Sequence, residues 1–375
     1  MTTWITSHAE LEALVRCIRS ESVVAIDTES DSLHHYREKV CLVQVGRRNA
    51  EPVLVDPLAL MDLSPLAALA KEMSPELVFH GADYDVACLK RDFAFSFGNL
   101  FDTMIASRLL GEVDFGLSAC LLRELGVHVS KDERLADWSL RPLDPLREAY
   151  ALADVEHLVA LRDRLVDRLR EAGREAWVRE ECAAVAALPA AVPEPEPADF
   201  RKSSACPDLN PRGLAVLKSL YEAREAICRA TDRPRYKVAG DRDLAVLALG
   251  LPHDAGELER LRGVPRNILR RPGPWLDAIR RGLSDAPVQL DPPPSRPRTD
   301  PRVAERIGRL RAWRPEVAAR LRLDQGVLLP QRLIVALAVD DPRDRDGLER
   351  IEGLRSWRVD ALGNEILKIL SGKTG

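Results

Sequence analysis

VVAIDTES, residues 23 to 30, sets four apolar residues, two of them β-branched valines, directly before two acids at positions 27 and 29. Such a run reads as a buried strand, and the period of two along a strand sends Asp27 and Glu29 to the same face. Two carboxylates placed there can share a hard cation. Working outward, VFHGADYD, residues 78 to 85, carries a second apolar run into a glycine and then Asp85. That spacing predicts a strand, a turn and Asp85 in the first turn of the next helix, where the helix dipole favours an anion. In REAYALADVEHL, residues 147 to 158, Tyr150 and Asp154 lie four apart, so a helix stacks the phenol one turn from the acid.

These acids on three elements describe a two-metal phosphodiesterase site. Clustered, partly buried carboxylates repel one another and stay ionised together only if cations neutralise them. An oxygen-only donor set favours Mg²⁺ or Mn²⁺ over zinc. Two such ions about 4 Å apart can activate water and stabilise the leaving oxygen of a phosphodiester, with no serine, histidine or cysteine nucleophile. A lone Asp-x-Glu at a strand end is ordinarily a solvated edge; it is the ordered set, in agreeing strand, turn and helix contexts, that carries the reading.

With those residues in place, the sequence resembles the ribonuclease D family, 3′ to 5′ exonucleases of the DEDD superfamily in the branch with tyrosine in the third motif. Asp27 and Glu29 match the first motif, Asp85 the second, and Tyr150 with Asp154 the third; CLVQVG, FDTMIASRLLG and LADWSLRPL agree as well. The second motif reads HGADYD, without the upstream asparagine usual in proofreading DNA exonucleases, which favours RNA processing. The resemblance implies that Asp27 bridges both metals and that Glu29 and Asp154 complete the site of the metal holding the attacking water. It further implies that Asp85 supports the second metal and that Tyr150 orients the water. Transfer-RNA precursors, and other structured RNAs with unpaired 3′ ends, are the implied substrates, and two Mg²⁺ or Mn²⁺ ions the implied cofactors.

Three neighbouring features invite weaker readings. His80 fits a packed or hydrogen-bonded residue better than a ligand of an all-oxygen site. Asp102 precedes an apolar periodic segment and is first of all an N-cap. His34, His35 and Tyr36 could line a substrate groove or form a polar loop.

Length and composition, 375 residues with 46% hydrophobic and 30% charged, allow two or three cores of ordinary domain size. No segment approaches a membrane span and the start lacks the pattern of a secretory leader. The seven cysteines are scattered without C-x-x-C spacing, so a reducing cytoplasm is the expected setting. Charge is uneven: residues 1 to 200 carry 21 Lys/Arg against 35 Asp/Glu, a net of −14, and residues 201 to 375 carry 34 against 24, a net of +10. The acidic half contains the metal-site candidates, and the basic half is the footprint expected of a nucleic-acid grip.

Composition and periodicity predict the organisation. Residues 1 to 186 form an α/β exonuclease domain, a mixed sheet flanked by helices, and the resemblance implies the ribonuclease H-like fold. Its strand-like runs are VVAIDTE, VCLVQVG, EPVLVDP and ELVFHG, followed by helical FDTMIASRLL, LSACLLRELG and PLREAYALADVEHLVALRDRLVDRLREAG. Proline-rich linkers are expected at 187 to 207 and 287 to 300. Residues 208 to 286 and 301 to 375 are two copies of one helical pattern, similar to the helicase and ribonuclease D C-terminal (HRDC) domain and expected as all-α bundles. Candidate RNA contacts in the first copy are Arg262, Arg266, Arg270 and Arg271 around a glycine turn, with Tyr236 and Lys237 before it. A DNA-directed 3′ to 5′ exonuclease, or an RNA-binding module with an idle nuclease fold, remain the alternatives.

Overall fold

The computed structural model describes residues 2–129, 136–290 and 300–372. Six strands, β1 (Thr3–Ile5), β2 (Val23–Ser30), β3 (Val40–Arg47), β4 (Ala50–Val55), β5 (Glu76–Phe79) and β6 (Leu100–Asp102), form one mixed sheet in the order β1-β4-β3-β2-β5-β6. β2 runs antiparallel to β3 and parallel to β5, so the strand bearing Asp27 and Glu29 lies in the interior of the sheet. Ile26, Val43, Val45, Val78 and Phe79 are buried in the core against which the helices pack, which is why these runs are nearly continuous in apolar residues.

The four apolar runs anticipated as strands are β2 to β5. Two expectations change. Phe101 and Asp102 belong to β6, paired parallel to β5, and the helix begins only at Thr103, where Asp102 caps it. The long helical run from Pro145 is two helices, Pro145–Glu156 and Leu158–Glu171, meeting at His157 with φ −106° and ψ 2°. The break lets the first cover β2, β3 and β4 while the second reaches β5 as well.

The chain divides into two compact units: Met1–Ser30, Val40–Ala191 and Arg298–Gly375 in the first, Asp31–Lys39 and Val192–Pro297 in the second. In the first unit the second helical copy is built onto the exonuclease region. Trp357 stacks on Trp177 at 4.4 Å between ring centroids, and Glu180 accepts from the backbone N–H groups of Ser356 (2.6 Å) and Trp357 (2.9 Å), satisfying donors at a helix start. In the second unit the first copy packs around its Pro211–Thr231 helix. The proline-rich stretch is tied down where it begins, with Lys90 Nζ donating to the carbonyls of Ala186 (2.7 Å) and Leu188 (2.6 Å). Most of the expected linker at 287 to 300 lies outside the described residues. Among the described residues no helix is long and apolar enough to cross a membrane.

Candidate active site

Asp27 and Glu29 emerge from β2 opposite Gln44 and Leu42 of β3, and the register shifts after Glu29. The third acid is brought to them by a close approach of helix to strand. A Cβ at Gly46 would fall 2.5 Å from the Val155 carbonyl oxygen, so only glycine lets the Pro145–Glu156 helix lie this near β3. Asp154, next to that contact, then joins the other two: carboxylate oxygens of Asp27, Glu29 and Asp154 lie within 4.8 Å of one another.

The like charges at this site, together with burial, set its acidity. Burial pushes the Asp27 carboxyl well above the usual range, and Asp85, Asp154 and Glu29 add to the push in that order. Asp85, buried in the first turn of the Asp83–Phe93 helix, is pushed up to about 7, mainly by burial and against the hydrogen bond that Thr28 Oγ donates to it. Four carboxylates with this mutual penalty form a site whose ionised state needs a cation, and hard oxygen donors fit a divalent one.

Tyr150 sits one helical turn before Asp154, its ring centroid 6.0 Å from that of buried Trp138. The helix start is fixed by Asp144, whose Oδ1 accepts from the N–H groups of Leu146 (3.0 Å) and Arg147 (3.1 Å). The preceding loop is held by Arg141, which donates to both oxygens of Asp56 at 2.8 Å and to the Cys41 carbonyl at 2.7 Å. Leu135, the first residue of the LADWSLRPL stretch, lies outside the described residues.

The structure thus brings Asp27, Glu29 and Asp154 together, with the charge of Asp85 acting on Asp27 and with Tyr150 on the helix that delivers Asp154. His80 Nδ1 meets Thr103 Oγ at 2.9 Å, a structural contact. Asp102 does more than cap its helix: besides Met104 (2.8 Å) and Ile105 (3.2 Å) it accepts from the N–H groups of Gly81 (3.0 Å) and Ala82 (2.8 Å), fixing the turn that carries Asp85. His35 and Tyr36 both line a cavity of the second unit, and most of Tyr36 lies beneath its surface. Tyr36 is 3% exposed in the core of the second unit, its phenol donating to Glu225 at 2.6 Å, because Asp232 captures the backbone of Tyr36 (3.1 Å) and Arg37 (3.0 Å).

Sequence reasoning missed Thr28, Gly46 and Gln44. Gln44 is fully buried beside Asp27 across the sheet, and its amide has no hydrogen-bond partner among the described residues. Its place at the centre of an otherwise apolar strand run was the available signal. For Gly46→Ala we expect a loss of about 1 to 3 kcal/mol of stability from overpacking. The displaced helix should also lower turnover by on the order of 100-fold, since small misplacements of reacting groups are that costly. Thermal unfolding and turnover on one preparation measure both.

Residues 2–170 match the 3′-5′ exonuclease family, and residues 213–279 and 304–370 each match the HRDC domain. Ribonuclease D of Granulibacter bethesdensis is 30% identical over 99% of this chain and 93% of its own length. The chain belongs to the ribonuclease D family. Ribonuclease D of Gluconacetobacter diazotrophicus is 34% identical over 70% of this chain and 67% of its own. The crystal structure of Escherichia coli RNase D, an exoribonuclease involved in structured RNA processing, superposes with a TM-score of 0.70 over the whole of both chains at 23% identity, a likeness of fold. The mixed sheet followed by two helical HRDC regions is therefore the architecture of the family, and the three-acid cluster stands in its exonuclease region.

Proposed function

We propose that this chain shortens RNA from the 3′ end one nucleotide at a time, acting on transfer-RNA precursors and other structured RNAs with unpaired tails. The single observation carrying the reading is the convergence of carboxylate oxygens of Asp27, Glu29 and Asp154 within 4.8 Å of one another. In each turnover the oxygen of a water forms a bond to phosphorus, the P–O3′ bond breaks, and a 5′-monophosphate leaves while the chain end regains a 3′-hydroxyl. Two Mg²⁺ or Mn²⁺ ions, when bound, supply water activation and leaving-group stabilisation.

The protein's own residues supply the rest. Asp27, central to the repulsion, is the acid best placed to be shared; Glu29 and Asp154 flank it, and Thr28 aims Asp85 by its hydrogen bond. Tyr150 is read as a positioning phenol, since free phenols ionise near pH 10 and are poor bases at neutral pH. Tyr150→Phe should therefore slow turnover about 10- to 100-fold while leaving unchanged the rise in unfolding temperature that Mn²⁺ produces. Equal loss of both would make the phenol part of the cation site. The seven free thiols support a reducing, cytoplasmic setting.

Matched 5′-labelled strands, one RNA, one DNA and one RNA with a 2′-deoxy tail, test the substrate assignment. Faster shortening of the RNA, and of a transfer-RNA precursor with an unpaired tail, is expected. Preference for the DNA strand would replace the RNA reading with a DNA-directed exonuclease.

A further inference from the structure

Gln44 is a polar side chain with no evident duty in the fold. It lies in the middle of β3, between the fully buried Val43 and Val45, and is itself fully buried. Neither its Oε1 nor its Nε2 has a hydrogen-bond partner among the described residues. Other buried polar groups of the exonuclease region do have partners: Thr28 donates to Asp85, Asp102 accepts from Ala82, and Ser107 donates to the Thr103 carbonyl. A buried amide left unpaired costs stability that an apolar residue of the same shape would not, so its presence needs another reason.

Its surroundings are those of the acid cluster. In the register of β2 and β3, Gln44 stands directly opposite Asp27, so the two side chains leave the same face of the sheet with Cβ atoms about 5 Å apart. Gly46 follows two residues on, on that same face, at the point where the Val155 carbonyl approaches β3. The Pro145–Glu156 helix, which carries Tyr150 and Asp154, therefore closes over the strip of β3 that holds Gln44. On its other side Gln44 pairs with Leu54 of β4, which is fully buried and apolar. Of the two residues opposite Gln44 in the sheet, Asp27 alone offers a side chain that can accept a hydrogen bond.

We propose that Gln44 is a positioning residue for Asp27: its amide N–H donates to the Asp27 carboxylate and keeps that acid turned toward Glu29 and Asp154 when the cluster holds cations. An ionised carboxylate has acceptor positions beyond those that cations occupy, and carboxylates that ligate metals are held in turn by outer donors. Asp85 has such a donor in Thr28 Oγ, and the register supplies Gln44 to Asp27. A neutral amide suits this place because it orients the acid without adding a positive charge that would compete with the cation. The proposal rests on the cation-site reading above and adds a residue that acts through Asp27.

The test uses the full chain in three variants. Gln44→Met removes the amide at nearly constant volume, Gln44→Asn keeps an amide on a shorter stem, and Leu54→Met makes an ordinary core change on the other side of the strand. Three quantities are read: the unfolding temperature in EDTA, the Mn²⁺ affinity by calorimetry, and kcat and KM on a 5′-labelled RNA at saturating Mn²⁺. In Gln44→Met the unfolding temperature in EDTA should rise by a few degrees, because an unpaired buried amide has gone. Mn²⁺ affinity and kcat should each fall about 10- to 100-fold, with KM unchanged. Gln44→Asn should recover part of the lost affinity, and Leu54→Met should leave the affinity at the wild-type value. Wild-type Mn²⁺ affinity in Gln44→Met, or a lowered unfolding temperature in EDTA, makes Gln44 a packing residue and overturns the proposal. Absence of Mn²⁺ binding by the wild type sinks the cation-site reading itself, and this proposal with it.

Discussion

Asp27→Asn is expected to abolish exonucleolytic turnover, by at least about a thousandfold, while making the metal-free protein more stable. The first effect follows from the geometry: Asp27 is the acid on which Asp85, Asp154 and Glu29 all act, and the loss corresponds to roughly 4 kcal/mol in the barrier. The second follows from the same repulsion. An uncharged isostere removes a half-buried carboxylate whose ionisation is penalised by desolvation and by three neighbours, so the unfolding temperature without divalent ions should rise. The rise that Mn²⁺ gives the wild type should disappear in the variant. Activity and stability thus move in opposite directions, which a merely structural role for Asp27 does not produce. Retention of a tenth of the turnover, or a lowered metal-free stability, would remove Asp27 from the centre of the site.

The second large effect is a pH dependence of stability that divalent ions reverse. Asp85 ionises near 3.8 when free and is pushed up to about 7 in the fold, so the folded protein holds its proton over that interval and the unfolded chain does not. The contribution of this group to the stability of the metal-free protein is therefore present in full at low pH and declines as pH rises from about 4 to about 7, by on the order of 4 kcal/mol at most. The buried Asp102, also pushed up by burial, acts in the same direction. Cations compete with protons for these oxygens, so Mn²⁺ should raise the unfolding temperature strongly at pH 8 and little at pH 5.5. Asp85→Asn should flatten the metal-free pH profile. A Mn²⁺ response equal at the two pH values would mean that the ion binds elsewhere.

The features legible in the sequence were those that local periodicity encodes. The apolar runs gave β2 to β5, the Asp-x-Glu spacing put two acids on one strand face, and the interval from Tyr150 to Asp154 put a phenol and an acid on one helix. The helical repeat was equally visible, because each copy must bury its own stripe. Short elements escaped: β1 and β6 have three residues each, too few to establish a period. Contacts distant in sequence escaped as well. Nothing near Gly46 announces that Val155 will press against it, and nothing near Tyr36 announces Glu225. The stacking of Trp177 on Trp357 spans the whole intervening chain, which is why two helical copies that look alike in sequence belong to different compact units.

The most direct measurement is a time course with a 5′-labelled RNA bearing an unpaired 3′ tail, run with wild type and Asp27→Asn, in Mg²⁺, in Mn²⁺ and in EDTA. A ladder descending by single nucleotides from the 3′ end, present with either ion, absent in EDTA and absent in the variant, is the result expected of a metal-dependent 3′ to 5′ exoribonuclease centred on Asp27. RNA that is bound yet stays intact with both ions, or a ladder that persists in Asp27→Asn, would contradict it.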